Sequence, residues 1–181
     1  QGDVNVESFL EKGYLKETVI NFIALLGWHP NNNEELFDIK YLIENFSISK
    51  IQKSGAIFDI KKLNWMNSVY IKDLEINNFI KISKEFYASL NFDFNDKEKF
   101  IKVFKFIQTR IDRLDEIPNL LLPFYDNIDI KDSESLAITN NEISKKIFKY
   151  WHDSLSENNI FNEDYIKGLI NDTSKKFNVK G

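Results

Sequence analysis

The residues of this chain that could act as acids, nucleophiles or metal ligands are few and scattered. The sequence contains no cysteine and two histidines, His29 in a predicted turn and His152 in a predicted helix. Neither has a second His or Cys at metal-site spacing, and hydrolytic and zinc sites need such converging groups. No glycine-rich phosphate loop occurs either. The sequence therefore predicts no catalytic residue, no metal site and no cofactor here, which argues against a complete small hydrolase.

The positive charges are more informative, because they are concentrated in two parts of the chain. Residues 1–39 hold seven acidic residues and two lysines, whereas residues 40–72 hold six lysines and two acidic residues. Lysine side chains beside a helix N-terminus can bind phosphate groups. The lysines that flank one predicted loop and the following helix start are Lys50, Lys53, Lys61 and Lys62. The alternative interpretation is that they are ordinary solvated lysines in a lysine-rich protein.

The second basic segment, residues 96–113, contains the only two arginines of the chain, Arg110 and Arg113. In a protein that otherwise uses lysine, an arginine indicates a need for the planar fork of N–H donors that lysine lacks. Arg110 lies at the margin of the apolar stripe predicted for this segment. The alternative is a surface pair with Glu116 or a neighbour, worth roughly a few tenths of a kcal/mol. Spacing alone leaves both interpretations open.

The elements that position these basic residues are predicted to be helices. Six glycines and three prolines leave few residues for the tight turns of a β protein. Apolar residues recur at helical spacing, and Asp38, Asp59, Asn162 and either Asn95 or Asp96 stand where N-caps are expected. The helical patterns cover residues 15–26, 39–46, 63–70, 76–90, 100–114, 143–155 and 165–170. The first of them is apolar nearly all round, which predicts a buried helix. The predicted fold class is all-α.

The pattern of the predicted elements changes near residue 72. Short mixed elements precede this point, and longer amphipathic helices follow it. The sequence therefore predicts two domains, residues 1–72 and residues 73–181.

Composition sets further limits. Hydrophobic residues make up 43% and charged residues 29% of the chain, as in an ordinary globular protein with a core. The net charge of −4 argues against a surface coated with basic residues for nucleic acid, but it does not exclude local basic patches. No run of about 18 apolar residues occurs, so no membrane association is predicted. The absence of cysteine permits a cytoplasmic location.

Two sequence blocks carry a resemblance to a known family. Residues 11–15, EKGYL, and residues 21–28, NFIALLGW, resemble the stretch that follows the KMSKS-type loop in bacterial glutamyl-tRNA synthetases. The block AIFDIKKLNWMN at residues 56–67, with YIK at 70–72, resembles the FD-x-x-KL-x-WMN-x-x-YI segment of that family. Beyond residue 73 the similarity rests on the helix pattern and on RIDRL at residues 110–114. The chain thus resembles the C-terminal, tRNA-binding part of these class I aminoacyl-tRNA synthetases.

The resemblance implies a stem-contact helical region in residues 1–72, followed by a helical-bundle anticodon-binding domain in residues 73–181. It implies that Lys62 faces the D-stem region of the tRNA, with Lys53, Ser54 and Lys61 as its neighbours. Such residues would position the RNA backbone without reading its sequence.

The resemblance also assigns a role to Arg110. This residue matches the arginine that reads the third anticodon base, which is C for glutamate and G for glutamine. Cytosine offers two acceptors, N3 and O2, to a guanidinium fork, whereas guanine presents opposing N–H donors at that edge. Arg110 is therefore expected to favour C over G, and for Arg113 the structural interpretation is kept.

By the same resemblance, the chain is expected to be truncated at both ends. The Rossmann catalytic domain would precede residue 1, and further anticodon-reading helices would follow residue 181. The parent protein is expected to join glutamate to tRNA(Glu) using ATP with Mg²⁺, whereas this fragment is not expected to be active alone. Its expected partner is tRNA(Glu), without DNA or membrane, and a monomer is expected.

Two alternatives belong to other classes or branches. The chain could be a helical adaptor that binds a protein partner through exposed apolar stripes, without binding RNA. A glutaminyl-tRNA synthetase is disfavoured, because the early blocks resemble the glutamyl branch with its helical anticodon region rather than a β-barrel.

Overall fold

The computed structural model describes residues 5–30, 34–51, 57–125, 133–157 and 162–179. Every regular element within these ranges is a helix, and none is a strand. The prediction of an all-α fold is therefore confirmed. No helix in the described ranges combines the length and the apolar character that crossing a membrane would require.

The helices follow one another closely along the chain. The first five are α1 (Val6–Glu11), α2 (Lys16–Gly27), α3 (Ile39–Asn45), α4 (Ile60–Asp73) and α5 (Ile76–Tyr87). The next five are α6 (Lys97–Gln108), α7 (Ile117–Tyr125), α8 (Ser133–Asn140), α9 (Glu142–Glu157) and α10 (Glu163–Phe177). Short 3-10 turns cover Ile48–Lys50 and Leu114–Glu116.

Side-chain caps fix where several helices begin, because they satisfy backbone N–H groups that have no partner within the helix. Asp38 accepts from the amide of Tyr41 at 2.7 Å at the start of α3. Asp96 accepts from the amide of Lys99 at 3.0 Å at the start of α6. The caps at Asp59 and Asn162 are present as well, so the capping predictions are confirmed, with Asp96 chosen over Asn95.

The helix predicted over residues 100–114 is shorter than its apolar pattern suggests, and this prediction was wrong at the C-terminal end. Helix α6 stops at Gln108, and the amide of Arg110 turns back to the carbonyl of Ile107 at 2.8 Å. The later apolar residues Ile111 and Leu114 are buried from a turn rather than from a helix. A 3.6-residue period therefore continued past the point where the backbone had left the helix.

Two further features differ from the prediction. Helix α2 is not buried all round, because Ile20 and Ile23 are 41% and 49% exposed. The patterns also missed α1, α7 and α8. Helix α7 contains Pro118 in its first turn, where a missing N–H costs little, and Pro123 near its end.

Packing divides the chain into two compact units, Gln1–Asn127 and Ile128–Gly181. The first unit has two apolar clusters. One surrounds Trp28, Phe22 and Met66, and the other surrounds Phe79, Phe104 and Ile107. Helix α4 contributes to both, because Leu63 and Met66 belong to the first cluster and Ile71 to the second. Helix α4 is thus the element that joins the two halves of this unit.

The predicted boundary at residue 72 lies inside this first unit. Leu15 and Ile71, from one side of that boundary, pack in the same cluster as Phe79 and Phe104 from the other side. The boundary between the compact units thus lies after Asn127 and not at residue 72. The functional division into residues 1–72 and 73–181 stays a prediction.

The second unit contains α8, α9 and α10. Helices α9 and α10 are joined where the indole nitrogen of Trp151 donates to the hydroxyl of Thr173 at 2.6 Å, beside the buried Leu169. The ammonium of Lys176 lies 3.9 Å from the ring centre of Tyr150. These contacts fix the two longer helices of the unit against each other.

Candidate nucleic-acid interface

The turn that follows α6 is fixed to the C-terminal end of α4. The buried side-chain amide of Gln108 donates to the carbonyls of Ile71 and Leu74, each at 2.8 Å. These carbonyls belong to the last turn of α4, where intrahelical partners run out. Gln108 therefore caps α4 and holds the last turn of its own helix in place, two residues before Arg110.

The other side of the same turn is held by Asn67, which is fully buried in α4. Its side-chain oxygen accepts from the amide of Leu15 at 2.8 Å, and its nitrogen donates to the carbonyl of Asp112 at 2.6 Å. One side chain thus connects the segment after α1, the middle of α4 and the segment after α6.

A close backbone approach completes this support. The amide of Leu114 donates to the carbonyl of Gly13 at 3.1 Å. Gly13 has a φ of +79°, and a Cβ atom built there would lie 2.5 Å from the backbone nitrogen of Leu114. Only glycine fits both the backbone angle and the contact. We call these contacts of Gly13, Asn67 and Gln108 the joint.

Arg110 projects from this supported turn into solvent. Its guanidinium carbon lies 3.7 Å from the ring centre of Phe106, and its Nη1 donates to the carbonyl of Phe106 at 3.1 Å and the hydroxyl of Thr109 at 3.0 Å. No carboxylate of the described ranges pairs with Arg110, so the predicted alternative of a surface pair with Glu116 does not occur there. The guanidinium is ordered by an aromatic ring and remains exposed.

Arg113 has a different environment. Its Nε donates to Asp115 at 2.9 Å, and its Nη2 lies 3.9 Å from Glu116. Burial alone would lower the pKa of Arg113, but its interactions with Asp115 and Tyr14 together outweigh this and raise the pKa above its ordinary value. Its charge is thus matched within the molecule, in agreement with the structural interpretation from the sequence.

The predicted backbone-binding lysines lie at the opposite end of α4. Lys61 and Lys62 occupy its first turn, and Lys62 pairs with Glu35 at 2.5 Å, while the exposed Lys61 has no ion-pair partner in the described part of the chain. Lys53 and Ser54 lie outside the described residues. A helix of this length spans about 20 Å, so the structure places Lys61 and Lys62 far from the end of α4 that supports Arg110.

The N-terminus of α4 is already occupied by a side chain. Asp59 accepts from the amides of Lys61 and Lys62 at 2.9 and 3.2 Å. The sequence predicted that lysine side chains and the helix N-terminus could meet phosphates, and also that Asp59 caps this helix. In the structure the backbone amides at this N-terminus donate to Asp59, so only the lysine side chains could bind a phosphate.

Sequence reasoning missed the polar residues that support Arg110. Asn67 lies one turn after Leu63 on the buried face of α4, and Gln108 directly follows the buried Ile107. A polar residue on an apolar stripe is the signal that could have found both, because buried amides need partners. Phe106 and Thr109 gave no such signal, since both are exposed.

Comparison with known families places this geometry in context. Residues 77–181, more than half of the chain, match a family model described as "Anticodon binding domain". The chain belongs to this anticodon-binding family. Residues 2–65 match a second model, described as the catalytic domain of the class I tRNA synthetases for E and Q. Arg110 and the whole turn after α6 therefore lie within the anticodon-binding part.

Curated relatives agree with this family. The chain is 35% identical over 185 residues to a glutamate–tRNA ligase of Carboxydothermus hydrogenoformans, covering 99% of this chain and 38% of the relative. It is 44% identical over 132 residues to a glutamate–tRNA ligase of Clostridium novyi, covering 69% of this chain and 27% of the relative. The chain thus spans less than two fifths of the length of these relatives.

A solved structure supports the fold. The glutamate–tRNA ligase of Elizabethkingia meningosepticum in complex with its amino acid superposes with a TM-score of 0.75 at 24% identity, covering 95% of this chain and 34% of that one. The family models and the curated relatives confirm the resemblance to the C-terminal part of bacterial glutamyl-tRNA synthetases. The stem-contact assignment of residues 1–72 and the roles of individual residues in this anticodon-binding family member stay predictions.

Proposed function

We propose that this chain is the tRNA(Glu)-binding, anticodon-recognising part of a glutamate–tRNA ligase. The observation that carries the proposal is the ordered, exposed guanidinium of Arg110 without a carboxylate partner in the described ranges, inside a segment of the anticodon-binding family. The parent protein would join glutamate to tRNA(Glu) using ATP with Mg²⁺. Those substrates would bind outside this chain, which itself would hold the RNA, act as a monomer and work in the cytoplasm.

Arg110 is proposed to contact the third anticodon base. A guanidinium presents parallel N–H donors, which suit the adjacent N3 and O2 acceptors of cytosine. Guanine presents N–H donors at the corresponding edge, so the N–H groups of the guanidinium would face other donors and form no hydrogen bonds there. Stacking on Phe106 keeps the fork ordered while leaving it accessible, which suits a residue that must meet a base from solvent.

Lys61 and Lys62 are proposed to contact tRNA phosphates near the D-stem, together with Lys53 and Ser54. Lys62 can exchange its carboxylate partner for a phosphate at small cost, because its pair with Glu35 is partly exposed and surface pairs contribute about 0–1 kcal/mol. These contacts would raise affinity without reading sequence.

The test compares two anticodon stem-loop RNAs that differ only in the third anticodon base, C or G. Binding to the 181-residue chain is measured by fluorescence anisotropy at low salt, where phosphate contacts are strongest. Arg110→Ala is expected to reduce the preference for the C-containing loop by roughly 5-fold to 150-fold, the range of one bidentate base contact.

Two further variants separate the fork from the charge. Arg110→Lys keeps the positive charge but loses the planar fork, so it should lose most of the preference as well. Lys105→Ala removes a charge from the last turn of α6 and should weaken the binding of both RNAs equally. An unchanged preference in Arg110→Ala would reject the base-reading role. Absence of binding to both RNAs and to whole tRNA would instead favour the helical adaptor.

A further inference from the structure

The side chain of Thr109 lies between Arg110 and the end of α6. Its hydroxyl donates to the carbonyl of Phe106 at 2.9 Å and accepts from Nη1 of Arg110 at 3.0 Å. The same Nη1 also donates to the carbonyl of Phe106 at 3.1 Å. These three hydrogen bonds form a closed ring of two side chains and one backbone carbonyl.

This ring exists because α6 ends where it does. A continuing helix would give the carbonyl of Phe106 to the amide of Arg110, but that amide bonds to Ile107 instead. The carbonyl of Phe106 thereby accepts the Thr109 hydroxyl and the guanidinium. A cation at a helix C-terminus is also favoured by the helix dipole. The helix end therefore holds the Arg110 side chain in one orientation.

The hydrogen bonds leave a defined set of donors. A guanidinium has five N–H groups, and both hydrogen bonds that Arg110 makes within the ring come from Nη1. The Nε–H and both N–H groups of Nη2 take no part in the ring, and Nε–H and one N–H of Nη2 point in parallel from one edge of the planar group. This edge can meet two adjacent acceptors, as a bidentate contact requires.

Phe106 restricts the remaining rotation of the group. The guanidinium carbon lies 3.7 Å from the centre of its ring, so Arg110 stacks on its face. The ring is in turn braced by Phe124, whose centre lies 5.5 Å away at an angle of 71°. Arg110 is thus held from one face by the ring and at one nitrogen by the hydrogen bonds.

We propose that Thr109 and Phe106 are positioning residues, which preset the Nε and Nη2 edge of Arg110 for a base carrying two adjacent acceptors. This inference rests on the proposed function of Arg110 and assigns the specificity of the contact to its two supporting residues. A preset fork loses less conformational freedom on binding, so the preference for C over G depends on Thr109 and Phe106 although neither needs to touch the base.

The main test compares Thr109→Val with Thr109→Ser. Valine keeps the shape but removes the hydroxyl, whereas serine keeps the hydroxyl. Thr109→Val is expected to reduce the C-over-G preference for the stem-loops by roughly twofold to tenfold, the effect of losing a typical hydrogen bond. Thr109→Ser should retain the preference. Thermal unfolding followed by circular dichroism shows that each variant is folded.

Phe106 offers a second matched pair. Phe106→Leu removes the aromatic face and should reduce the preference to a similar extent, whereas Phe106→Tyr keeps the face and should retain it. Equal preferences in the leucine and tyrosine variants would contradict the role of the ring.

A readout without RNA tests the orientation directly. The chain has two arginines, so its NMR spectrum should contain two Nε–H signals, and Arg113→Lys assigns the one that belongs to Arg110. Thr109→Val is expected to shift and narrow the Arg110 signal as the side chain becomes mobile, while Thr109→Ser should not. A purely structural role of Thr109 would leave this signal unchanged.

The outcomes separate this inference from the function on which it rests. If Arg110→Ala removes the preference while Thr109→Val and Phe106→Leu both keep it, the positioning role is wrong and the proposed function stands. If Arg110→Ala leaves the preference unchanged, both are wrong.

Discussion

The two ends of α4 support the two groups of basic residues, and they differ in what surrounds the charge. At the first turn, Lys62 pairs with Glu35, and Asp59 takes the amides of Lys61 and Lys62. At the last turn, the joint fixes the segment that carries Arg110, and the guanidinium is left without a carboxylate in the described ranges. The lysine end is exposed and loosely paired, whereas the arginine end is firmly supported.

The difference matches two different tasks in RNA recognition. A phosphate can be met from many directions, so a lysine on a flexible stem suffices. A base edge has a fixed direction, and a fork that meets it needs a fixed orientation. If the proposed roles hold, support by buried hydrogen bonds distinguishes the base-reading residue from the backbone-holding ones better than charge does.

The largest expected effect comes from breaking the joint at Gly13. Gly13→Ala would place a Cβ against the backbone of Leu114 at a φ of +79°. We expect a loss of about 2–4 kcal/mol in the free energy of unfolding, since the backbone on both sides must shift. Urea denaturation followed by circular dichroism measures it.

Gly168→Ala is the matched control for this change. Gly168 lies in α10, and a Cβ atom there would meet nothing within 4 Å. Because alanine favours the helix by up to about 1 kcal/mol over glycine, this variant should be neutral or more stable. Equal effects of the two substitutions would mean that the Gly13 contact does not support the fold.

The second-largest expected effect is a loss of stability when the buried side-chain amide of Asn67 is changed. Asn67→Asp keeps the shape but replaces the N–H donor by an oxygen, which would face the carbonyl of Asp112 at the 2.6 Å site. Leaving buried groups without partners costs about 1–3 kcal/mol at neutral pH. Asn64→Asp, at a partly buried position one turn earlier in α4, is the control, and it should lower the free energy of unfolding less than Asn67→Asp does.

The loss in Asn67→Asp should depend on pH. Burial beside a carbonyl should raise the pKa of the new carboxyl in the folded state above its unfolded value. A group with a raised folded pKa stabilises below its unfolded pKa, and this stability is lost as pH rises through the folded value. Relative to the parent chain, the variant should therefore recover stability as pH falls, and a constant difference across pH would contradict the buried joint.

The smallest expected effect comes from removing the carboxylate that pairs with Lys62 at the first turn of α4. Glu35→Gln removes the carboxylate partner of Lys62 and should change the free energy of unfolding by less than about 1 kcal/mol, because the pair is partly exposed. Affinity for whole tRNA should rise roughly twofold to fivefold as the lysine becomes free. Affinity for the isolated anticodon stem-loop should stay the same. An equal gain for both RNAs would place Lys62 away from the D-stem.

Most of the fold could be predicted from local patterns. Helix starts were found because capping is a local property, as at Asp38 and Asp96. The end of α6 was missed because the segment after it is held by Gly13, which lies about a hundred positions earlier in the sequence. Apolar spacing reports which residues are buried, and Ile111 is buried from a turn as completely as a helical residue.

The site could be predicted in part. The rarity of arginine indicated Arg110, and the structure shows Phe106 rather than Glu116 beside it, while its role at the anticodon stays a prediction. The contribution of Thr109 could not be predicted, because a threonine at a helix end becomes important only through the three-dimensional path of the chain.

The hydrogen bond between Gly13 and Leu114 also has a consequence for how the chain reaches its structure during synthesis. The two residues lie about a hundred positions apart, so their contact closes a long loop and forms late in folding. At roughly 5–20 residues per second, a ribosome needs about 5–20 s to make the intervening chain. The segment around Gly13 therefore waits for its partner, and the turn that carries Arg110 cannot gain this support until Leu114 has been made.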